Sequence, residues 1–475
     1  MLVGRTTEKT ILSEALESDE AELIAVTGRR RVGKTFLIRS VYEGRLIFEL
    51  TGVYDASLEI QLKNFSAELK GVSKNKFSLP IPKNWFEAYE QLKLYLEKLL
   101  RNKKTVVFLD EFPWLHTPKS GFLSAFEHFW NSWASRKKNL AVVICGSSAS
   151  WMLQNVVNSR GGLHNRISRK IRLLPFTLRE TEEYLKSRRI NLDRYQLLQL
   201  YMAMGGVPYY LKAVKPGLSA AQNIDRLCFA KDGTLRDEFV NLYRSLFAHA
   251  EIQINIIRTL AGKKDGLDRN ELLKKNGFSS GGAFTKIITE LEESGFISRH
   301  IPFGKKIKDS VFKLTDEFSM FYLKFMEGNR QTGDGTWLRL SGSASWKSWS
   351  GFAFEGICFK HIQQIKEALG ISGVQTMESV WRHAGNKKEP GAQIDLLIDR
   401  GDYCINVCEM KFTDAKFTIS KSYAENLRRK ISVFTIRSKT TKTLFLTMIT
   451  AFGVKQNEHS IGLVQNEILM GSLFE

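Results

Sequence analysis

Two places in the sequence gather residues suited to phosphate chemistry. The first is Gly28-Arg29-Arg30-Arg31-Val32-Gly33-Lys34-Thr35, which fits G-x-x-x-x-G-K-[ST] at every fixed position. An apolar run, Leu-Ile-Ala-Val-Thr, precedes it, and the helical pattern Thr-Phe-Leu-Ile-Arg-Ser-Val-Tyr follows. In that setting the glycines let backbone N–H groups curl around phosphates at the positive end of a helix dipole. Lys34 then reaches the β- and γ-phosphates, and the Thr35 hydroxyl ligates Mg²⁺. The set expected around the nucleotide, ATP, is Gly28, Val32, Gly33, Lys34, Thr35 and Phe36.

Val106-Val107-Phe108-Leu109 then ends in Asp110-Glu111. Ligands of open α/β sheets collect at the carboxyl ends of strands. Asp110 is expected to hold the magnesium shell and Glu111 to polarise the attacking water. A third buried run, Leu140 to Cys145, ends in Gly146-Ser147-Ser148, where a side chain could sense the γ-phosphate or simply form a turn. Arg160 and Arg166, in a basic loop, are alternatives for an arginine that acts on a neighbouring copy's nucleotide.

The second place lies near the C-terminus, in Gly-Ala-Gln-Ile-Asp-Leu-Leu-Ile-Asp-Arg-Gly-Asp-Tyr-Cys-Ile-Asn-Val-Cys-Glu-Met-Lys-Phe. It reads as a hairpin with Asp395 on its first strand and Glu409 and Lys411 on its second. A spacing of two puts Glu409 and Lys411 on one face. Two carboxylates, Asp395 and Glu409, could hold a divalent metal, and Lys411 could orient a nucleophile. Glu355, on an upstream helix, adds a further acid. Tyr423 and Lys430 are expected to face substrate from the helix that follows.

The elements that must position these residues divide the chain. Residues 1–180 alternate apolar runs with amphipathic stretches, as a helix-covered parallel sheet does, and 181–250 read as helix. Residues 251–326 read as a winged helix-turn-helix. Its second helix, capped by Ser279 or Ser280, carries Phe284, Ile287, Ile288 and Leu291 on one face, and Val-Phe-Lys-Leu-Thr-Asp-Glu-Phe is the return strand. Lys286, Lys305, Lys306 and Lys308 could meet DNA phosphates, although Glu290, Glu292 and Glu293 on that helix would repel them, and a plain packing module fits equally. The Gly- and Ser-rich stretch 327–350 reads as a linker whose tryptophans Trp337, Trp346 and Trp349 dock on a domain. Residues 351–475 form a last, strand-rich module.

Composition bounds the setting. A chain of 475 residues, 43% hydrophobic and 25% charged, is too long for one core and ordinary for a globular protein. Five scattered cysteines fit reduced, buried thiols rather than a disulfide set or a zinc site. No signal-peptide layout or membrane span is legible, so a cytoplasmic, non-membrane protein is expected. A net charge of +20 suits a polyanionic partner, nucleic acid above all.

The motifs together resemble an archaeal and bacterial ATPase family in the AAA+/STAND branch of P-loop proteins. The resemblance rests on Val3-Gly4-Arg5 with Glu8, the phosphate loop, Leu109-Asp110-Glu111-Phe112, Gly146-Ser147-Ser148, Asn165-Arg166 with Leu174-Pro175-Phe176, and Gly205-Gly206-Val207-Pro208-Tyr209-Tyr210-Leu211. It implies that Arg5 lies by the adenine, Ser147 occupies the sensor position and Arg166 the arginine-finger position of a homo-oligomer. The C-terminal hairpin resembles the core of the PD-(D/E)XK nuclease fold, except that Ile394 stands where the motif has proline. The expected fold class is therefore α/β: an AAA+-like ATPase with a helical lid, a winged helix and a restriction-endonuclease-like domain. Two functions follow. One is an ATP-regulated, metal-dependent DNA nuclease. The other is an ATPase switch whose C-terminal domain only binds nucleic acid or protein.

Overall fold

The apolar runs of the first 175 residues lie side by side as strands. In this computed structural model, residues 2–74, 79–100, 103–157, 161–163, 165–247, 249–278, 281–329, 333–385 and 391–475 are described. The chain forms two compact units, residues 1–175 with 245–248, and residues 176–244 with 249–475. The fold class is mixed α/β.

In the first unit β1 (Glu22–Thr27), β2 (Leu46–Thr51), β3 (Thr105–Asp110), β4 (Leu140–Gly146) and β5 (Arg169–Arg172) pair in the order β2-β3-β4-β1-β5, all parallel. Helices cover both faces, so β1 and β4 are buried along their whole length and carry no polar alternation. One face packs Leu23, Ala25, Leu109 and Val142 against the Leu58–Val72, Trp85–Leu99 and Phe122–Ser132 helices. The other packs Ile24, Val26, Phe108 and Val143 against the Thr6–Glu17 and Lys34–Val41 helices. Strand β5 was not legible in the sequence: only Ile171 of its four residues is buried.

The second unit begins with helices Leu178–Ser187 and Arg194–Met204, each started by a side-chain cap at Thr177 or Asp193. The Ala250–Ala261, Arg269–Lys275 and Gly282–Glu293 helices follow, with β6 (Leu267–Asp268), β7 (Ile297–His300) and β8 (Val311–Leu314) in a small antiparallel sheet ordered β6-β8-β7. Ser279 and Ser280, the expected caps, lie outside the described residues. The return strand is shorter than expected, because Asp316 caps a new helix at Glu317.

The stretch 327–350 departs from the expected linker. Ser343 accepts a hydrogen bond from Trp346 N and starts the Ala344–Lys360 helix well before residue 351. Trp337, Trp346 and Trp349 are buried, as the docking expectation has it. After that helix come β9 (Thr376–His383), β10 (Ala392–Arg400), β11 (Cys404–Lys411), β12 (Phe417–Thr418), the Lys421–Ser438 helix, β13 (Thr443–Thr450), β14 (Val454–Lys455) and β15 (Asn466–Leu469). The main sheet runs β15-β13-β11-β10-β9, antiparallel through β9, β10 and β11 and parallel through β11, β13 and β15. A bulge breaks the β9–β10 ladder: Ile394 faces Trp381 and Leu397 faces Ser379, so Asp395 and Leu396 share Val380.

All five cysteines are free thiols, four of them buried. Among the described residues, no helix is long and apolar enough to cross a membrane.

Candidate functional site

Strand β1 delivers the chain into the loop from Gly28 to Gly33. Gly28 has φ +149°, and a Cβ there would lie 2.3 Å from the Leu173 carbonyl oxygen, so the loop leaves the sheet only with glycine at this position. Lys34 opens the next helix and is buried, its Nζ donating to the carbonyls of Gly28 at 2.8 Å and Arg29 at 3.1 Å. These bonds hold the ammonium at the mouth of the loop, where a phosphate's oxygens could replace the carbonyls. Val32 is buried beneath the loop, and Phe36 is 53% exposed on the helix. Arg5, buried and at φ 57°, donates to the Val32 carbonyl at 3.3 Å, which ties the segment before the first helix to the phosphate loop.

The Thr35 hydroxyl donates to Asp110 Oδ2 at 2.6 Å. Asp110 Oδ1 accepts from Glu111 N at 2.9 Å, and Glu111 turns out of β3 at φ 43°. Glu111 Oε2 in turn accepts from the Ser147 hydroxyl at 2.7 Å and the Ser147 amide at 3.1 Å. The strand order explains this chain: β4 lies between β1 and β3, so its end sets Ser147 between the phosphate loop and Glu111. A hydroxyl and a carboxylate side by side suit a hydrated Mg²⁺, which takes oxygen ligands and keeps several waters. The structure thus brings Gly28, Gly33, Lys34, Thr35, Asp110, Glu111 and Ser147 to one end of the sheet. Arg166 is exposed and takes no part in that hydrogen-bond network. Arg160 lies outside the described residues.

Residues 2–214 match the family model described as an ATPase domain predominantly from Archaea. The N-terminal region is therefore similar to a P-loop ATPase domain. An uncharacterized protein of Methanocaldococcus jannaschii is 26% identical over 435 residues, 90% of this chain and 92% of that protein. Among solved structures, a Walker-type ATPase of Pyrococcus abyssi aligns at 16% identity and a TM-score of 0.49, over 68% of this chain and 96% of that one. The ORC2 protein of Aeropyrum pernix aligns at 14% identity and a TM-score of 0.40, over 68% of this chain and 93% of that one. The match to the ATPase domain ends at residue 214, so the C-terminal residues stand on their own geometry.

There the hairpin lies as expected, and Lys411 Nζ sits 3.0 Å from Glu409 Oε1 on one strand face. Glu409 is buried and fully engaged: Lys430 Nζ lies 2.8 Å from Oε2, and the Tyr423 hydroxyl donates to Oε1 at 2.6 Å. Tyr423 and Lys430, expected to face substrate, hold this carboxylate. Burial alone would raise the Glu409 pKa, but Lys411 and Lys430 keep it below the ordinary range. Burial, then the Glu409 charge, raises Asp395. Burial, then Asp395, pushes Glu355 up to about 8. Glu355 and Lys411 also line one cavity of about 300 Å³.

The sequence reading missed Lys313. Burial lowers its pKa, and the charges of Glu355 and Asp395 oppose that shift. The only signal was its place between the buried Phe312 and Leu314 on β8. Among the described residues, no three His, Cys, Asp or Glu side chains form a group that could hold a metal ion. At the expected Asp395–Glu409 metal pair, Lys411 and Lys430 balance the Glu409 carboxylate.

Proposed function

We propose that this chain is an ATP-hydrolysing switch acting on nucleic acid, with the C-terminal domain as its binding module. The observation that carries the switch is the bond from Ser147 to Glu111. A γ-phosphate oxygen competes for that hydroxyl, so phosphate occupancy and the position of Glu111 are coupled. Gly28, Val32, Gly33, Lys34 and Phe36 bind ATP, Arg5 borders the base, Thr35 and Asp110 hold its Mg²⁺, and Glu111 orients the attacking water. Arg166 reaches the nucleotide of a neighbouring copy, which makes the working form a homo-oligomer. The winged-helix module at 251–326 and the +20 charge add to the C-terminal domain's affinity for DNA.

A second reading is favoured by one observation, the gathering of Glu355 and Lys411 around one cavity, with the Asp395 charge acting on Glu355. Clustered carboxylates with perturbed pKa values mark functional sites, and an Asp395, Glu409 and Lys411 set with Glu355 nearby suits metal-dependent phosphodiester cleavage. Release of Glu409 from Tyr423 and Lys430 would free its oxygens for a divalent metal.

The two readings separate in one assay. Wild type, Asp395→Ala, Glu409→Ala and Lys411→Ala are incubated with single-stranded and duplex DNA, with Mg²⁺ or Mn²⁺, with and without ATP. DNA-stimulated ATP hydrolysis without cleavage supports the switch. Metal-dependent cleavage lost in all three variants establishes the nuclease. ATP hydrolysis indifferent to every nucleic acid removes the nucleic-acid role.

A further inference from the structure

Beside the carboxylate centre lies a second cavity, of about 500 Å³, walled by the Ala250–Ala261 helix and its following turn, β8, residues 320–327 and the Ala344–Lys360 helix. Its lining is strongly one-signed. Arg258, Lys263, Lys264, Lys313 and Lys324 face it with one carboxylate, Glu327, which Arg258 already engages at 2.9 Å. Among the described residues, none of the four lysines has an ion-pair partner. Like charges gathered around a partly enclosed space repel one another unless a polyanion is a habitual guest. The walls also include Trp349 and Phe352, with Lys264 Nζ 5.7 Å from the Phe352 ring centroid.

The cavity leads toward the carboxylates. Lys264, Ser348 and Phe352 line both it and the smaller cavity that holds Glu355 and Lys411. Lys313 lies at the inner end, where its ammonium feels Glu355 and Asp395. A space of about 500 Å³ admits a few units of a single strand rather than a duplex. Cations tracking a backbone beside aromatic faces are what unpaired strands bind.

We propose that this cavity is a single-strand nucleic-acid site, in which Lys263, Lys264 and Lys324 at the mouth and Lys313 inside hold successive phosphates and lead the strand to Glu355 and Asp395. The inference rests on the nucleic-acid reading above and adds to it the strandedness of the ligand and a binding site shared by the middle and C-terminal modules.

The test uses the full chain and a fluorescent 15-nucleotide oligothymidylate, followed by anisotropy across a salt series. Lys263→Glu/Lys324→Glu reverses two exposed charges at the mouth. Lys212→Glu/Lys215→Glu, at two exposed lysines that line neither cavity, is the control. The expected result is a loss of affinity of about tenfold or more in the first variant only. Its Lys263→Gln/Lys324→Gln counterpart should lower the slope of log K against log salt by about two, one for each lost phosphate contact. Unfolding midpoints equal to wild type show that the folds are intact. If wild type binds the oligonucleotide and the mouth variants bind equally well, the cavity is not the site, although the nucleic-acid reading survives. Binding of duplex DNA without oligothymidylate overturns the single-strand inference alone. If neither ligand binds, both fall.

Discussion

The Thr35 hydroxyl and the Asp110 carboxylate meet at 2.6 Å, although the strands that lead to them, β1 and β3, are separated in the sheet by β4. The phosphate loop and the acidic strand end are thus joined before any metal is considered. Lys34→Ala should abolish tight Mg-ATP binding, because the main cation for the terminal phosphates is lost. Glu111→Gln should retain binding and lower turnover by about a hundredfold or more. Calorimetric titration with a non-hydrolysable analogue and a phosphate-release assay read the two effects separately. Turnover near wild type in Glu111→Gln would remove that residue from the catalytic role.

Gly28 and Gly33 should respond differently to alanine. At Gly28 the new Cβ meets the Leu173 carbonyl oxygen, whereas at Gly33 it meets nothing within 4 Å. Gly28→Ala should therefore cost about 2 kcal/mol or more of stability, and Gly33→Ala mainly the strain of its φ of +90°. Denaturant midpoints of the two variants check the order.

Arg166 is exposed and takes no part in the Asp110–Glu111–Ser147 network of its own chain. If it serves a neighbour's nucleotide, specific ATPase activity should rise with protein concentration, and Arg166→Ala should flatten that rise. Light scattering alongside the rate measurement tests it. A monomer with a full, concentration-independent rate would count against the assignment.

His361 sets a pH limit on the second unit. The Leu178 N–H donates to its Nε2 at 3.0 Å, so Nε2 must be unprotonated, while Nδ1–H donates to the Ile357 carbonyl at 2.9 Å. Burial, against the Ile357 bond and with help from Lys360, lowers its pKa to about 4. A depressed histidine leaves the unfolded chain binding the extra proton first. Stability is therefore full above about pH 6.5 and declines as pH falls toward 4, by up to about 1.4 kcal/mol per pH unit. His300, also near 4, adds its own slope. The difference between wild type and His361→Gln across urea titrations from pH 7 to 4 isolates the His361 share.

What was legible in the sequence followed from local signals. The strands that end at Thr27, Asp110 and Gly146 are buried on both faces, so their apolar runs stood out, and the phosphate loop announced itself by fixed spacing. The Asp395, Glu409 and Lys411 hairpin was readable from alternation and a turn. Features set by distant partners were not. β5 owes its place to pairing with β1 rather than to its own charged residues. The Gly- and Ser-rich stretch hid a helix, because Trp346 and Trp349 are ordered by packing on Phe325. Lys313, Tyr423 and Lys430 take their positions from contacts that no local pattern encodes.

The bulge in β10 makes chain length itself a determinant of chemistry. Ile394 and Leu397 are three apart yet belong to one apolar cluster, which regular alternation forbids and the bulge permits. A deletion of Leu396 would bring these two to a spacing of two, so the cluster would survive with an ordinary ladder. Asp395 would then be fixed on the opposite face of the sheet from both neighbours. A single lost codon, in frame, would thus disarm the carboxylate centre as fully as replacing the aspartate, with the buried Leu396 side chain lost besides.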